Sequence, residues 1–477
     1  MTGEPAEVME SEYGRNEHLV EYLRQSGWWE QLTAFRPTLG KANGKSPEAL
    51  NGAWVLVNLA HVGHLEHADP LLRDGKLMVE AGFTLREVKR AEKLEQGVAH
   101  RDTLRNHSKR IALTESQRVL YENVAWMRSR KGLRGKWYAV DGFRLEVTGQ
   151  QYEGAGEVWD KDENRWVRGY KVVLVLNVTD GRERIVGLAM GPIQMDERKL
   201  LLQILAEMRA NGLEPKELIK GLIMDRGYWG AEFLGKLQAD YGVHWCTLVP
   251  SYVQELHAEV ARLVAQGQMR LVSRVVTRRS GREEKLLVGS MSDLMAVVEE
   301  KQELTVNVVL ARRIDEKTGE IQERLFATSV PFTEQKPARV IERYSERWAI
   351  ENEGVRELSQ RWRARVPIGR SLSAIYAQLV MLVLCYNALK DYAMQRPQEA
   401  EALQAECRRR ARRSYLAGQA VILFIPRRRI YAVMNGQLLA TLTRERTLRR
   451  VEYWLARGLT PHAAIQQARQ ESLIDAG

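Results

Sequence analysis

The strongest constraint on the fold of this chain is the series of strand and helix patterns between Lys136 and Pro250. The segment KWYAVDGFRLEV alternates apolar and polar residues, which predicts a half-buried strand. YKVVLVLNVTDGRERIVGLAMG predicts two more strands joined at Asp180-Gly181, a dipeptide typical of tight hairpins. The continuous apolar run LIKGLIMD predicts a strand buried on both faces. Helical patterns lie before and after this run, and the short strand VHWCTLVP closes the series.

Three antiparallel strands followed by strands that alternate with helices are typical of an α/β fold of the ribonuclease H-like type. We therefore expect residues 131–250 and 337–398 to form the two parts of one catalytic core. Residues 148–169 are polar and contain glycine, which predicts a loop or excursion. Residues 251–336 contain β-rich segments with basic faces, such as QMRLVSRVVTRRS and ELTVNVVLARRID, and we interpret them as a β-strand insertion. Residues 1–130 and 399–477 are expected to form helical flanking domains.

Three acidic residues stand out within this framework. Asp141 is the acid on the apolar face of the first predicted strand, and Asp225 ends the continuous apolar run. Glu351 lies in YSERWAIENEGVRELSQRW (residues 344–362), which we predict to be one amphipathic helix. At about 100° per residue, its inward stripe consists of Tyr344, Arg347, Trp348, Glu351, Val355, Leu358 and Trp362. Glu346, Glu353 and Glu357 are expected to face solvent.

A carboxylate on a buried face is unfavourable unless it is paired or bound to a metal. Two interpretations of Glu351 are open, since an ion pair with Arg347 four residues earlier would also explain it. The positions of Asp141, Asp225 and Glu351 converge at one edge of a ribonuclease H-like sheet. Carboxylates that lie so close need a counter-charge, and two Mg²⁺ ions, for which Mn²⁺ is expected to substitute, would supply it. Zinc is disfavoured because no His or Cys joins this set.

The helix over 344–362 also carries a family signature. The chain resembles the DDE transposases of bacterial insertion sequences, specifically the insertion-sequence-four family, over roughly residues 136–392. The signature Y-x2-R-x3-E-x6-K of that family matches Tyr344, Arg347 and Glu351. The expected lysine falls at Leu358, which lies on the apolar stripe and cannot hold phosphate.

Two further motifs support the resemblance. The family pattern D-x-G-Y/F around the second acid matches Asp225, Gly227 and Tyr228, and the pattern around the first acid matches Asp141-Gly142-Phe143. Family members use a tryptophan of the β insertion to stack a flipped base. Residues 251–336 contain no tryptophan, which leaves Trp229 and Trp245 as candidates.

The resemblance implies that Asp141, Asp225 and Glu351 hold two metal ions. It also implies that Tyr344 and Arg347 position phosphate near the cut DNA end, and we add Arg226 and Arg356 as candidate DNA contacts. The protein would bind the inverted repeats of double-stranded element ends, cleave them and join their 3′-hydroxyls to target DNA. A homodimer on paired ends is expected, in the bacterial cytoplasm at the nucleoid. Two alternatives are a non-catalytic DNA-binding repressor and a metal-dependent nuclease without strand joining.

The charge of the chain favours a polyanionic partner. The formal net charge is +11 and the isoelectric point is about 9.4. Residues 82–111 have the outline of a helix-turn-helix, with Thr84 capping a first helix that ends near Gly97 and a second helix beginning at Asp102. Arg and Asn suit base edges and Lys suits phosphate. The residues available for DNA are Arg101, Thr103, Arg105, Asn106, Lys109 and Arg110. A basic surface helix of an ordinary bundle is the alternative.

Other features are weaker. His61, His64 and His67 could share a helix face, but no further His or Cys completes a zinc set. The arginine runs at 407–413 and 426–429 are solvated faces or phosphate contacts. Three distant cysteines fit a reducing compartment, and the polar N-terminus is not a signal peptide. The apolar run 372–389 contains Ser373, Gln378 and Asn387, and we predict a buried helix rather than a membrane span.

Overall fold

A computed structural model describes residues 14–38, 44–60, 65, 68–133, 136–178, 183–298, 302–314, 320–362, 364–405, 420–425, 430–435, 450, 453–454 and 456–474. The described part is a mixed α/β structure around one ten-stranded, mostly antiparallel sheet. The strands of this sheet are β1 (Trp137–Glu146), β2 (Gly156–Asp160), β3 (Arg165–Asn177), β4 (Ile185–Pro192), β5 (Gly221–Ile223), β6 (His244–Leu248), β7 (Val272–Thr277), β8 (Glu283–Val298), β9 (Gln302–Ile314) and β10 (Ile321–Thr328).

The centre of the sheet has the order β4-β3-β1-β5-β6. β3 pairs antiparallel with both β1 and β4, which confirms the three antiparallel strands predicted first. β5 pairs in parallel with β1 and with β6. All three residues of β5 are buried, as the continuous apolar run predicted. The hairpin turn predicted at 180–181 lies outside the described residues.

Residues 148–169 are not simply a loop. β2 pairs antiparallel with the first residues of β3, from Arg165 to Gly169, and forms a hairpin there. Trp159 and Trp166 face each other across it, with ring centroids 5.7 Å apart. Aromatic residues favour strands, and this pair explains why a polar, glycine-containing segment forms β structure.

The insertion continues the central sheet. β10 pairs antiparallel with β6, and β9, β8 and β7 follow in antiparallel order. The segment is not all strand, because the amphipathic helix Gln254–Ala265 precedes β7. The turn predicted at 317–319 lies outside the described residues.

The helices before the sheet are α1 (Gly14–Ser26), α2 (Trp28–Leu32), α3 (Pro47–Leu59), α4 (Asp69–Leu72), α5 (Gly75–Ala81), α6 (Leu85–Lys93), α7 (Arg101–Ser108) and α8 (Leu113–Ser129). Thr84 caps α6 as predicted, and Glu87 returns the hydrogen bond in a capping box. α7 begins at Arg101, one residue before the predicted start, because His100 is its N-cap. The histidines at 61, 64 and 67 lie outside the described residues.

The helices within and after the sheet are α9 (Glu197–Ala210), α10 (Pro215–Leu218), α11 (Ala231–Ala239), α12 (Gln254–Ala265), α13 (Pro337–Ser345), α14 (Leu372–Gln395) and α15 (Pro461–Ile474). α14 is long and apolar enough to cross a membrane by length and composition, but 83% of its most apolar window is buried inside the protein. Asn387 exchanges two hydrogen bonds of 2.9 Å with the backbone of Ile185 in β4. Tyr22 and Trp28 of the N-terminal helices both donate hydrogen bonds of 2.9 Å to Asp391.

The tail over residues 399–477 was predicted to be helical, but part of it forms strands. Strands β11 (Ala420–Ile425) and β12 (Ile430–Asn435) form an antiparallel pair. Their sequences, AVILFI and IYAVMN, are rich in β-branched and aromatic residues, and this local preference explains the difference. The arginine runs at 407–413 and 426–429 lie outside the described residues.

Candidate active site

Asp141 lies in the middle of β1, the strand between β3 and β5. Its carboxylate is half-buried and accepts a hydrogen bond of 2.8 Å from the backbone N–H of Gly142. Burial raises the pKa of Asp141 from 3.8 to about 6, the Gly142 hydrogen bond and Arg347 oppose this shift, and the charges of Glu197 and Glu351 add to it. Asp141 is therefore a carboxylate whose negative charge is only partly compensated.

Asp225 follows β5, beside the strand that carries Asp141. The Thr247 hydroxyl on the neighbouring β6 donates a hydrogen bond of 3.1 Å to the backbone carbonyl of Asp225. The Tyr344 hydroxyl donates a hydrogen bond of 3.2 Å to the Asp225 side chain. A short 3₁₀ turn then covers residues 226–228 and leaves Arg226 exposed next to the acid.

The segment predicted as one α-helix over 344–362 is not continuous. α13 ends at Ser345, hydrogen bonds tighten to i→i−3 at Arg347 and Ile350, and the chain then widens into π-helical turns at Ile350–Val355 and Glu357–Arg361. These changes of pitch rotate side chains away from the stripe expected at 100° per residue.

Two side-chain orientations predicted for this segment were wrong for this reason. Trp348 is 56% exposed, although it was expected to face inward. Glu357 is only 8% exposed, although it was expected to face solvent, and it lies 3.3 Å from Lys390 of α14. Leu358 is buried as predicted.

Arg347 links the three acids electrostatically. Its guanidinium pairs with the Glu351 carboxylate, as the ion-pair interpretation expected. Burial opposes the charge of Arg347, but Tyr344, Glu351 and Asp225 outweigh that effect and raise its pKa above the ordinary value. The charge of Arg347 also lowers the pKa of Asp141, against the larger effect of burial. The structure therefore brings Asp141, Asp225 and Glu351 within electrostatic range of one buried cation.

A fourth acid, Glu197, was missed from the sequence. It is the first residue of α9, and Lys171 of β3 lies 2.9 Å from its carboxylate. A side-chain carbon added at Gly142 would lie 3.2 Å from that carboxylate. The helical pattern predicted α9 correctly, but an acid in a first helical turn is an ordinary feature. The sequence therefore carried no signal that this residue approaches β1.

The donor chemistry of the site fits a divalent cation. All four acids offer carboxylate oxygens, which Mg²⁺ prefers, and the raised pKa of Asp141 indicates negative charge that needs compensation. Among the described residues, no three His, Cys, Asp or Glu side chains are close enough together to hold one ion as they stand. The buried cation that acts on the acids instead is Arg347.

The residues predicted to contact DNA differ in how exposed their side chains are and in whether they already bind other residues of the protein. Arg356 is exposed on the π-helical segment, with a hydrogen bond of 3.3 Å to Gln360. Asn106 of α7 and Lys109, which caps the end of that helix, are exposed. Arg101 lies 3.9 Å from Asp69.

Arg105 is occupied within the protein. It pairs with Asp102 and donates a hydrogen bond of 3.1 Å to the carbonyl of Ile368. The side chain therefore anchors α7 to the loop before α14, and a contact between Arg105 and DNA stays a prediction.

An arginine-lined cavity of about 640 Å³ lies along the segment that carries Arg347 and Glu351, although neither of these two residues lines it. Its wall includes Tyr344, Trp348 and Asn352, together with arginines of the insertion. These arginines are Arg278, Arg279, Arg282, Arg313 and Arg324. Arg278 and Arg313 share Glu284, at 2.7 and 3.6 Å.

The tryptophans divide clearly between interior and surface. Trp229 and Trp245 are 1% and 0% exposed, so neither can stack on a DNA base in this structure. Trp348 is exposed on the wall of the cavity, and the Arg347 guanidinium lies 5.6 Å from its ring centroid. Sequence reasoning assigned Trp348 to the interior and therefore missed it.

The sheet, the acids that act on Arg347 and the arginine-lined cavity together describe a mixed α/β protein with a strongly charged site. A family model described as the transposase DDE domain matches residues 135–388, more than half of the chain. The chain therefore belongs to the transposase DDE domain family. A search of curated proteins gave no match.

Proposed function

We propose that the protein is a DNA transposase of the insertion-sequence-four type, which cleaves element ends and transfers their 3′-hydroxyls to target DNA. The observation that carries the proposal is the electrostatic interaction of Asp141, Asp225 and Glu351 with Arg347, within a chain of the transposase DDE domain family. We propose further that the core is ribonuclease H-like, and the strand order β4-β3-β1-β5-β6 supports this.

The proposed chemistry assigns different tasks to the acids and to their neighbours. Asp141, Asp225 and Glu351 would hold two Mg²⁺ or Mn²⁺ ions. When bound, such ions activate the attacking water or 3′-hydroxyl and stabilise the leaving oxygen of an in-line displacement. Tyr344 keeps the Asp225 carboxylate in place through its hydrogen bond. Arg347 is buried next to the acids and would be available to the scissile phosphate once another cation compensated the charge of Glu351.

The cavity is the proposed binding site for the DNA strand. Its five arginines exceed the two acids of its wall, Glu284 and Glu353, so it favours phosphate. Trp348 offers an exposed indole face on the same wall, and aromatic faces stack on bases of any sequence. We assign base stacking to Trp348 and phosphate contact to the arginines, with Arg226 and Arg356 as further contacts. Asn106, Lys109 and Arg101 remain candidates for end recognition.

The decisive experiment uses DNA from the flanks of the gene, in which short inverted repeats are sought first. The purified protein is incubated with labelled end fragments, target plasmid and Mg²⁺, and products are resolved on denaturing gels. We expect cleaved ends and covalently joined products. Binding without cleavage would favour the non-catalytic repressor, and cleavage without joined products would favour a nuclease.

The proposal also includes a dimer on paired ends, at the nucleoid of the bacterial cytoplasm. Light scattering of the protein with end fragments tests this part separately. Two protein chains for each pair of ends are expected. A complex with one protein chain and one end would contradict the dimer while leaving the chemistry unaffected.

A further inference from the structure

The turn between β7 and β8 forms part of the wall of the arginine-lined cavity. It covers residues 278–282 and is closed by a hydrogen bond of 2.9 Å from the backbone N–H of Arg278 to the carbonyl of Arg282. Arg278, Arg279 and Arg282 line the cavity, as does Trp348 of the segment that follows α13. The position of this turn therefore influences the shape of the cavity.

The side chain of Arg279 is bound to the central sheet. Its guanidinium donates a hydrogen bond of 2.8 Å to the carbonyl of Val178, which follows β3, and one of 2.5 Å to the carboxylate of Glu183, which precedes β4. Glu183 is only 5% exposed, and a buried carboxylate needs such a partner. Arg279 therefore connects the turn of the insertion to the central sheet.

The backbone of Arg279 provides a second connection. Its N–H donates a hydrogen bond of 3.1 Å to the hydroxyl of Ser345, the last residue of α13. That hydroxyl in turn donates a hydrogen bond of 2.5 Å to the carbonyl of Glu342. Arg279 thus holds the turn at two places, the central sheet and the start of the segment that carries Arg347.

The acceptor of the Arg279 side chain is itself held in place. Arg184, the residue after Glu183, donates a hydrogen bond of 2.9 Å to the carbonyl of Glu183 and one of 3.4 Å to the carboxylate of Asp391 in α14. The carbonyl of Arg184 accepts a hydrogen bond of 2.9 Å from the backbone N–H of Asn177 in β3. Glu183 is therefore a fixed point to which the turn can be attached.

We propose that Arg279 is a positioning residue, which holds the turn through Glu183 so that the other arginines of the cavity bind DNA phosphate. This inference rests on the proposed function, because it assumes that DNA binds in the cavity, and it refines the phosphate contact assigned there to Arg279. Two explanations compete with it. Arg279 could itself contact phosphate and merely rest against Glu183, or the ion pair could only stabilise the fold.

The sign of the effect at Glu183 distinguishes these explanations. DNA is a polyanion, so the loss of an acid ordinarily leaves DNA binding unchanged or strengthens it. If Arg279 contacts phosphate, Glu183→Gln frees the guanidinium and DNA binding becomes tighter. If Arg279 holds the turn, Glu183→Gln weakens DNA binding although it removes a negative charge. If the pair only stabilises the fold, the folded variant binds DNA like the wild-type protein.

The test measures binding of the full-length protein to a labelled DNA duplex with a short single-stranded end, by fluorescence anisotropy at several salt concentrations. We expect Glu183→Gln and Arg279→Gln to raise the Kd by similar factors of about 3–100-fold, and the double variant to be no weaker than either one. Glu323→Gln is the matched control, since Glu323 pairs with Arg312 and does not line the cavity. Its Kd should be unchanged or lower.

Circular dichroism at the assay temperature checks that each variant is folded, because breaking a buried ion pair is destabilising. Ser345→Ala provides a second test that leaves all charges in place. It removes the hydroxyl that accepts the hydrogen bond from the backbone of Arg279. We expect it to raise the Kd for DNA by about 2–10-fold.

The outcomes separate this inference from the proposed function. If the wild-type protein binds DNA and folded Glu183→Gln binds it equally or more tightly, the inference is overturned while the proposed function stands. Weaker binding by Arg279→Gln alone, with the salt slope reduced by about 1, would make Arg279 a phosphate contact. If Glu183→Gln does not fold, unchanged affinity of Ser345→Ala overturns the inference. If the wild-type protein binds no DNA, the proposed function and this inference both fail.

Discussion

The segment from Tyr344 to Glu353 borders two environments of opposite charge. Arg347 and Glu351 belong to the acidic site, together with Asp141 and Asp225. Trp348 and other residues of the same segment line the arginine-rich cavity. Tyr344 belongs to both, since it bonds Asp225 and lines the cavity.

This difference indicates a division of labour within a few residues. The acidic side can compensate positive charge but repels DNA by itself, whereas the arginine side attracts phosphate because its five arginines outnumber its two acids. A substitution on the acidic side should therefore affect the chemical step, and one on the arginine side should affect DNA binding. The following experiments test that division.

The largest effect is expected on the acidic side. Asp225→Asn or Glu351→Gln should reduce cleavage of element ends by about 10⁴-fold or more, which corresponds to ~5.5 kcal/mol of transition-state free energy. DNA affinity should change little, because these side chains are not phosphate contacts. Cleavage on denaturing gels and binding by gel shift measure the two quantities. Undiminished cleavage by either variant would remove that residue from the site.

Asp141→Asn is expected to increase the stability of the protein although it abolishes cleavage. The pKa of Asp141 is about 6 in the folded protein against 3.8 for an unperturbed carboxyl, so this group favours the folded state at low pH. That stability is lost as the pH rises from about 4 to about 6. Above pH 6, without metal, Asp141→Asn should stabilise the protein by at most about 3 kcal/mol while abolishing cleavage.

Thermal or urea unfolding at pH 8 and pH 4 checks this prediction. The advantage of Asp141→Asn over the wild-type protein should be present at pH 8 and absent at pH 4. An advantage of equal size at both values would show that the charge of Asp141 is not its cause. Excess Mg²⁺ should reduce the advantage at pH 8, because the cation stabilises only the wild-type carboxylate.

On the cavity side, Trp348→Ala should weaken DNA binding by about 1–3 kcal/mol, the range for loss of one stacked base. Trp348→Phe should retain most of the affinity. Because Trp348 is 56% exposed, neither variant should change the unfolding temperature much. Trp229→Ala is the contrasting variant, since that buried side chain should be required for stability. Full affinity of Trp348→Ala would exclude the stacking role.

The smallest effect is expected for single arginines of the cavity. Arg324→Ala should weaken binding uniformly across sequences and reduce the slope of log K against log salt by about 1. Arg312→Ala on the adjacent strand is a matched control, because Arg312 pairs with Glu323 and does not line the cavity. Equal changes of slope in the two variants would mean that the cavity has no special part in binding.

Much of the core was predictable because its strands have simple patterns. The alternation around Asp141 and the apolar run before Asp225 predicted β1 and β5. The cap at Thr84 predicted the start of α6, and a helical pattern predicted α9. These features depend on residues that are close in the sequence. The approach of Glu197 to Gly142 depends instead on how α9 packs against the sheet, and no local pattern encodes that distance.

The signature segment shows the limit of periodicity. Its motif identified Glu351 and Arg347 correctly as neighbours, because an i, i+4 spacing survives a modest change of pitch. The tight and π-helical turns then moved Trp348 outward and Glu357 inward. The buried Glu357 is compensated by Lys390, a residue of α14 whose proximity could not be inferred from the segment itself.

The buried helix α14 has a consequence for how the protein is made. Asp391 and Asn387 on this helix bind Tyr22, Trp28 and Ile185, which leave the ribosome long before it. Chains emerge N-terminus first. The N-terminal helices and β4 therefore form these hydrogen bonds only after residues about 200 to 370 positions later in the chain have been synthesised. A truncated product ending before residue 372 would contain Asp141, Asp225 and Glu351 but would lack these contacts, so we expect it to be less stable than the longer chain.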